Sequence, residues 1–360
     1  MVERVHSPEL VMPTSDRWIF KARPGPCTSG RFIRPLAQPQ WGTCTIVHAS
    51  CYCTEKAALA RRVFVEGEVA TKEAKVAFSA TSKELAKRFG SPRLIPWTEE
   101  QVIASVPGMK RRIYRRAADS LLVKPVCHKD ARVKMFVKAD KLTGVGVEPK
   151  KPRAIQGRDP RFNVVYGKYI KPIEQYLCGW KGVRRGVPRT RVFAKGLDWK
   201  KRADVTMAKL ENFKYCYSLD ASSFDASVRA FHLLGVHRVY RALVGKNEEF
   251  EWLLRETLVN TGVTAHGIWY KILGNRMSGD MDTGIGNSLL AFLLVWAVMR
   301  KMGLKKWDLL CDGDDILVFT DQAVTKQEWY TMGSELGFTW RVEAEWQRGD
   351  PFEDIEFCRH

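Results

Sequence analysis

Acidic residues are what this chain is short of: 40 Asp and Glu stand against 59 Lys and Arg, a formal charge of +19 at pH 7 and a pI near 9.6. An excess of that size points to a polyanionic partner, either nucleic acid or an anionic membrane surface. Long apolar stretches are missing as well. The longest run, Leu289 to Met299, has eleven residues, too short to span a bilayer. The first residues carry no apolar segment of the kind a signal peptide needs. No stretch repeats at a fixed period, which argues against a solenoid or propeller. The nine cysteines follow no disulfide framework, so the expectation is a soluble protein of a reducing, intracellular compartment. Cys44, His48, Cys51 and Cys53 form the tightest group. Both a zinc site and buried free thiols stay open there, although C-x₆-C-x-C matches no usual ligand spacing.

What is present reads as globular: 45% hydrophobic and 11% aromatic residues in 360 make one large or two ordinary domains. The organising stretch is Trp307 to Thr320, in which apolar runs Leu309–Cys311 and Ile316–Phe319 flank Asp312-Gly313-Asp314-Asp315. The pattern predicts a buried β-hairpin with acids at its tip. Burying carboxylates is costly unless something neutralises them, and a hard divalent cation, Mg²⁺ or Mn²⁺, would do so. Alone, the tripeptide Gly-Asp-Asp is common and equally suits a solvated turn. It gains force from Asp220, which ends a predicted strand 94 residues earlier, because in-line phosphoryl displacement uses two metals ~3.5–4 Å apart.

The chain divides in character. Residues 1 to about 45 are rich in Pro, Gly and basic residues (Lys21 to Pro26, Arg31 to Pro35) and predict an irregular or extended arm rather than a compact core. Helices are expected over Thr54–Arg62 and Lys72–Arg88, the second stopped by Gly90-Ser91-Pro92. Lys110 to Lys134 holds nine basic residues against two acids, open to reading as a solvated helix face or a phosphate contact. Phe136 to Asn163 carries Lys138, Lys141, Lys150, Lys151, Arg153, Arg158 and Arg161 around a glycine turn. Alternation of Arg153, Ile155 and Gly157 predicts cations on one side of a strand, able to hold a triphosphate. A third basic stretch, Lys181 to Arg202, has nine Lys or Arg and one Asp. Interleaved Phe162, Tyr166, Tyr169, Trp180, Phe193 and Trp199 suit base stacking or core packing.

From Phe213 onward the pattern is that of alternating strands and helices. A strand over Phe213–Leu219 leads to Asp220 and Asp225, then a helix with Val228, Phe231, Leu234, Val239 and Leu243 on one face, stopped by Gly245. Thr257–Leu273 predicts paired strands. Ser278 to Gly286 is a glycine-rich loop into a helix over Asn287–Met302, apolar all round and hence buried. A helix over Thr325–Leu336 and a strand pair near Phe338–Val342 and Ile355–Cys358 complete the chain. Asp225 with Asn287 suits a ribose 2′-hydroxyl, the group that separates RNA from DNA.

These segments, in this order, resemble the viral RNA-dependent RNA polymerases, most closely those of tombusvirus-like positive-strand plant viruses such as carmovirus and umbravirus relatives. The resemblance rests on FVKADK and KPRAIQGRDPRFN, SLDASSFDAS, SGDMDTGIGNSLL, CDGDDILVF and IEFCR, which together span Phe136 to Arg359. It implies an α+β right-hand fold. Residues 1–204 would form an N-terminal extension and fingers, and 205–345 a palm with an inserted fingers segment near 246–275. Residues 346–360 would begin the palm–thumb junction, and the thumb itself is expected to be absent after His360. By resemblance, Asp220, Asp314 and Asp315 are the catalytic metal-binding acids for Mg²⁺ or Mn²⁺. Asp225, Thr283 and Asn287 would read the ribose, and Ser278 and Gly279 form a mobile loop. Lys138, Lys141, Arg153 and Arg158 would bind the nucleotide, and Phe357 and Cys358 lie in the primer grip. The implied activity is copying viral RNA by two-metal nucleotidyl transfer with release of pyrophosphate. Implied partners are template and product RNA, NTPs, a membrane-anchored viral replication protein and host factors, at membrane-associated replication complexes in the host cytoplasm. Asp312 and Asp282 depart from the asparagines common in relatives, and Asp312 bears on metal preference. The general acid to pyrophosphate stays open between Lys326 and Arg341. A reverse transcriptase and a non-catalytic basic RNA-binding fragment are the alternatives.

Overall fold

The computed structural model describes residues 2–5, 16–22, 44–48, 50–65, 67–90, 92–144, 151–182 and 189–358, with the backbone alone at 2–5, 20, 44–47 and 141–144. The first half contains β1 (Val2–Val5), β2 (Arg17–Lys21), β3 (Cys44–His48), α1 (Tyr52–Arg62), α2 (Lys72–Phe89), α3 (Glu99–Ala104) and α4 (Gly108–Val123). These are followed by β4 (Val133–Val137), β5 (Lys141–Gly144), β6 (Ala154–Gly157), α5 (Pro160–Gly179) and α6 (Trp199–Leu210). The second half contains β7 (Tyr215–Ala221), α7 (Phe224–Ser227), α8 (Ala230–Val244), α9 (Glu248–Leu258), β8 (Val259–Thr264) and β9 (Trp269–Leu273). It closes with α10 (Thr283–Lys301), β10 (Trp307–Asp312), β11 (Asp315–Thr320), α11 (Lys326–Glu335) and β12 (Trp340–Gln347). The result is a mixed α+β fold built on antiparallel sheets.

The sheet that matters most is β10-β11-β7-β12, antiparallel throughout. Its hairpin strands read as continuous apolar runs because both faces are covered, and side chains on a strand alternate between faces. Leu309, Cys311, Ile316 and Val318 join the apolar side chains of α10 in the largest core cluster. Leu310, Leu317 and Phe319 point the other way, to Phe213, Trp346 and Phe357. α10 is long and apolar enough to cross a membrane, and 83% of its most apolar stretch is buried inside the protein. A second sheet, β2-β9-β8-β4-β6, ties the two halves of the chain together, since β8 pairs in parallel with β4. β1, β3 and β5 form a third, smaller sheet.

Local signals set most boundaries. The Thr71 hydroxyl caps α2, and Gly90, at φ +67°, ends it where a left-handed residue is needed. Thr325 and Glu328 form a reciprocal capping box at the start of α11. Asp159 caps α5, with Pro160 at its first turn.

Four expectations are corrected. The N-terminal arm, expected to stay outside a compact core, joins it: Arg17–Lys21 adds a strand beside β9, and the buried Arg17 guanidinium binds the carbonyls of Val63, Val65 and Ala226. Residues 23–43 lie outside the described residues. The helix after Asp225 turns a different face inward. Leu233, Val236, Val239, Tyr240 and Leu243 are buried and Leu234 is exposed, because the helix begins only at Ala230 and Val228 precedes it in extended backbone. α10 starts four residues earlier than Asn287. Ile355–Cys358 forms no strand. Pro351 opens a 3₁₀ turn over Phe352–Asp354, and β12 pairs instead with β7. Of the interleaved aromatics, Phe162, Tyr166, Tyr169 and Phe193 are core residues and only Trp199 is largely exposed.

The contact between α2 and α8 depends on Gly235, where a Cβ would overlap the Phe78 ring. Gly235→Ala is expected to cost about 1–3 kcal/mol by overpacking, measured as a fall in denaturation midpoint.

Candidate active site

Strand register brings the acids together. Ile316 lies opposite Leu219 in the antiparallel β11–β7 pair, so Asp315, one residue earlier, is level with Asp220, one residue later. Asp312 pairs with Asp315 across the hairpin, and Gly313, at φ +71°, supplies the left-handed first residue of the two-residue turn. Partial burial pushes the Asp314 carboxyl above its usual range, and the charges of Asp220 and Asp312 push it further, against the pull of its own backbone N–H. Asp315 is raised by burial and by Asp314, with a hydrogen bond from the Cys358 thiol opposing. The fourth acid behaves differently. Asp312 Oδ2 accepts from Arg202 Nη2 at 2.5 Å, and the same guanidinium lies over the Phe357 ring. Asp312 is therefore neutralised from α6 rather than adding free charge at the tip.

The turn is also fastened to α10. Ser288 Oγ accepts from Gly313 N at 2.8 Å while donating to Gly284 O at 2.9 Å. One residue earlier, Asn287 Nδ2 donates to Asp225 Oδ1 at 2.8 Å. Asp225 reaches that position because Ser223 takes the left-handed conformation, φ +55°, ψ +46°, between β7 and α7. A non-glycine residue pays roughly 1 kcal/mol or more for that. Burial pushes the Asp225 carboxyl up to about 6. The hydrogen bond from Asn287 opposes this, and the charge of Asp314 adds to it.

The glycine-rich loop docks on β6. Ser278 Oγ accepts from Gln156 N at 3.0 Å, and Gly279 N donates to Gln156 O at 2.7 Å. A Cβ on Gly279 would stand 2.6 Å from Gln156 O and 2.8 Å from Gly157 Cα, so only glycine allows the contact. The Thr283 hydroxyl is turned into its own loop, 2.8 Å from Met277 O and 3.0 Å from Asp280 O.

Asp220, Asp225, Asp314 and Ser278 line one cleft of about 590 Å³, whose wall also carries Arg62, Lys151, Arg153 and Arg341, the last directly across from Asp220 in the β12–β7 pair. Burial and the adjacent Arg153 lower the pKa of Arg62, the mark of two crowded cations. Lys138 stands next to this wall, bound to Asp140 at 3.2 Å, and Asp140 also meets Arg153 at 3.5 Å. Lys141 belongs to β5, and its side chain and Lys150 lie outside the described residues. Arg158 does not face the cleft. Its five N–H donors are all used, on Asp280, Asn260 and the carbonyls of Ala131 and Glu256. With 1% of its side chain exposed, it is a strut rather than a phosphate ligand. Lys326 pairs with Glu345 at 3.3 Å and does not line the cleft, whereas Arg341 does. Cys51 and Cys53 lie with sulfurs 3.0 Å apart, and the Cys44 side chain is outside the described residues.

The donor set suits a hard divalent cation: carboxylate oxygens only, with Asp314 and Asp315 both raised by burial and by neighbouring acids, a cost that a cation would relieve. As the side chains stand, no three His, Cys, Asp or Glu groups among the described residues converge tightly enough to hold an ion. Asp220 and Asp314 are thus the pair on which metal binding would depend.

Acids at the end of an antiparallel sheet share this cleft with four cations, and Asn287 holds one of its carboxylates, Asp225. A family model described as viral RNA dependent RNA polymerase matches residues 19–360. The chain is 38% identical to the RNA-directed RNA polymerase of Groundnut rosette virus (strain MC1) over 275 residues, covering 74% of this chain and 32% of that protein. It is 32% identical to the corresponding proteins of Tobacco necrosis virus (strain A), with 87% and 44% covered, and of Tomato bushy stunt virus (strain Cherry), with 87% and 39% covered. The chain belongs to the viral RNA-dependent RNA polymerase family. It spans less than half the length of these curated relatives.

Two predictions follow from the electrostatics. Asp225 has a folded pKa of about 6, above the ~3.9 of an unfolded chain. The folded state therefore binds the extra proton, and stability falls as pH rises from about 4 to 6, then levels. Asp225→Asn should raise the stability of the metal-free protein by roughly 2–3 kcal/mol at pH 8 and change little at pH 4, read from thermal unfolding at both pH values. Arg158→Met should cost on the order of 3–5 kcal/mol by leaving Asp280 buried without its cation, whereas Arg153→Met should leave the melting temperature nearly unchanged.

Proposed function

We propose that the chain is the catalytic portion of an RNA-directed RNA polymerase, copying viral positive-strand RNA from NTPs with release of pyrophosphate. The observation that carries this is the single cleft that Asp220, Asp225 and Asp314 share with Arg62, Lys151, Arg153 and Arg341. Asp220 and Asp314 would hold Mg²⁺ or Mn²⁺, with Asp315 in support. Two such ions, when bound, activate the 3′-hydroxyl and neutralise charge on the transferring and leaving phosphates. The chain's own residues do the rest. The cationic wall binds and orients the triphosphate, and Lys138 adds charge at its edge. Asp225 accepts from the ribose 2′-hydroxyl, with Asn287 holding the carboxylate in place. Ser278 and Gly279 set the loop against the nascent pair. Arg341, on the cleft wall, is placed to meet the leaving pyrophosphate as a fixed cation, since a guanidinium does not give up its proton.

In this reading the sheet of β10, β11, β7 and β12 is the palm, residues 1–204 and the segment 246–275 are the N-terminal extension and fingers, and 346–360 leads toward a thumb. RNA is the template and product, and the basic charge of the chain supports its binding. A membrane-anchored replication protein and host factors at cytoplasmic membrane-associated complexes are the partners that family membership supports.

The test is incorporation of labelled NTP on a short single-stranded RNA template in Mg²⁺ and in Mn²⁺. Incorporation that favours NTP over dNTP and falls on the order of a thousandfold or more in Asp314→Ala is the expected result. Undiminished incorporation in Asp314→Ala, or a preference for dNTP, would overturn the reading.

A further inference from the structure

We infer that Arg276, which does not line the cleft, is the positioning residue that sets ribose recognition, by fixing the side-chain amide of Asn287 in the one orientation that serves Asp225. The inference rests on the polymerase reading of the cleft and extends it to a residue behind the cleft.

Asn287 lies between two groups of opposite character. Arg276 Nε donates to Asn287 Oδ1 at 3.1 Å, and Asn287 Nδ2 donates to Asp225 Oδ1 at 2.8 Å. A guanidinium only donates and an ionised carboxylate only accepts, so the amide between them has a single satisfied orientation. A flip would set N–H against N–H and oxygen against oxygen. Arg276 is anchored at its guanidinium and at its backbone, with Nη2 the one guanidinium nitrogen left without a partner. Its Nη1 donates to Asp282 Oδ2 at 2.6 Å, and Tyr240 donates to the same oxygen at 3.1 Å. Its backbone N donates to Asp225 O at 3.0 Å, and the neighbouring Asn275 N donates to Val228 O at 2.8 Å. Gly286, adjacent to Asn287, leaves the room: a Cβ there would stand 2.7 Å from Arg276 Nη2 and 3.0 Å from Asp282 Oδ2.

The buried pair is close to fully enclosed, with side-chain exposures of 1% for Arg276 and 0% for Asp282. A lone charge in such a place is strongly destabilising, so Asp282 is the counter-ion that permits Arg276. The acid where relatives have asparagine thus acquires a role. Arg276 and Asp282 together form a fixed block, and Asn287 passes its position forward to Asp225 at the cleft. A ribose 2′-hydroxyl then meets a carboxylate that is already oriented, while a 2′-deoxy sugar has nothing to offer it. Losing Arg276 frees the amide to rotate, and the cost falls on ribonucleotides alone.

Two variants separate this from a structural role. Arg276→Lys keeps a charge beside Asp282 but replaces the forked guanidinium with one ammonium, which cannot hold Asp282 and Asn287 together. Arg276→Met combined with Asp282→Asn removes both charges and leaves none unpaired. Thermal unfolding identifies which variants are folded. Equilibrium titration with ATP and dATP in Mg²⁺, without template, then gives the two dissociation constants for the whole chain. The expected result is ATP binding weakened roughly tenfold, the worth of one hydrogen bond to a charged group, with dATP binding unchanged. A folded variant of either kind that keeps the wild-type ATP-to-dATP ratio overturns the inference, and so does a wild-type chain without preference for ATP. If the double variant does not fold, Arg276→Lys decides. Should binding behave as expected while incorporation proves independent of Asp314, the polymerase reading fails and the positioning role of Arg276 stands.

Discussion

The structure depends on how carboxylates at the end of a buried sheet are neutralised. An ionised carboxylate away from water costs several kcal/mol unless it is paired, and nearly every acid around β10, β11 and the glycine-rich loop has its own cation. Asp308 has Lys209 at 2.5 Å, Asp312 has Arg202, Asp280 has Arg158 and Asp282 has Arg276. Asp220, Asp225, Asp314 and Asp315 have no cation partner among the described residues. The protein has matched its structural acids and left a small set open, and that set lines the cleft or stands at its edge. Sorting acids by whether they are paired thus separates scaffold from site without reference to any motif.

The scaffold around this set is rigid in an identifiable way. Arg158 joins β6, the loop before β4, α9, β8 and the glycine-rich loop through one side chain. Ser288 joins α10 to the acid turn, and Gln156 joins β6 to Ser278 and Gly279. These contacts connect residues far apart in the chain, so the cleft is a product of tertiary assembly and not of any local segment. A site built this way holds its groups in place before a substrate arrives, which is the condition for electrostatic stabilisation to be effective.

Much of this was legible in the sequence, for physical reasons. The hairpin showed itself because strands covered on both faces must be apolar throughout, which made the interrupting acids conspicuous. Asp225 and Asn287 were legible as a pair by their chemistry. Other parts were not. Arg62 looks like an ordinary basic residue closing a helix, and only folding brings it to Arg153. Arg158 stands in a run of cations and shares their composition, yet among the described residues of that run it alone is buried. Ser288 is a small residue in an apolar helix and gives no sign of its bond to Gly313. The inward face of α8 was misphased because its start was set by Arg229, not by the preceding hydrophobic residue. Charge pattern tells which residues are cationic but not which are consumed by the scaffold.

Two of the arginine–acid pairs, Arg276–Asp282 and Arg202–Asp312, differ in how far apart their members lie along the chain, and this has a consequence for how such a gene can change. Arg276 and Asp282 are six residues apart and travel together in almost any exchange of genetic material. Arg202 and Asp312 are separated by 110 residues, a distance wide enough for template switching to fall between them. A recombinant that takes its first part from a parent with asparagine before the Gly-Asp-Asp turn inherits an acid whose matching cation was never selected for. A crossover in that interval therefore separates the two members of the pair, and lineages joined there are expected to change residues 202 and 312 in concert.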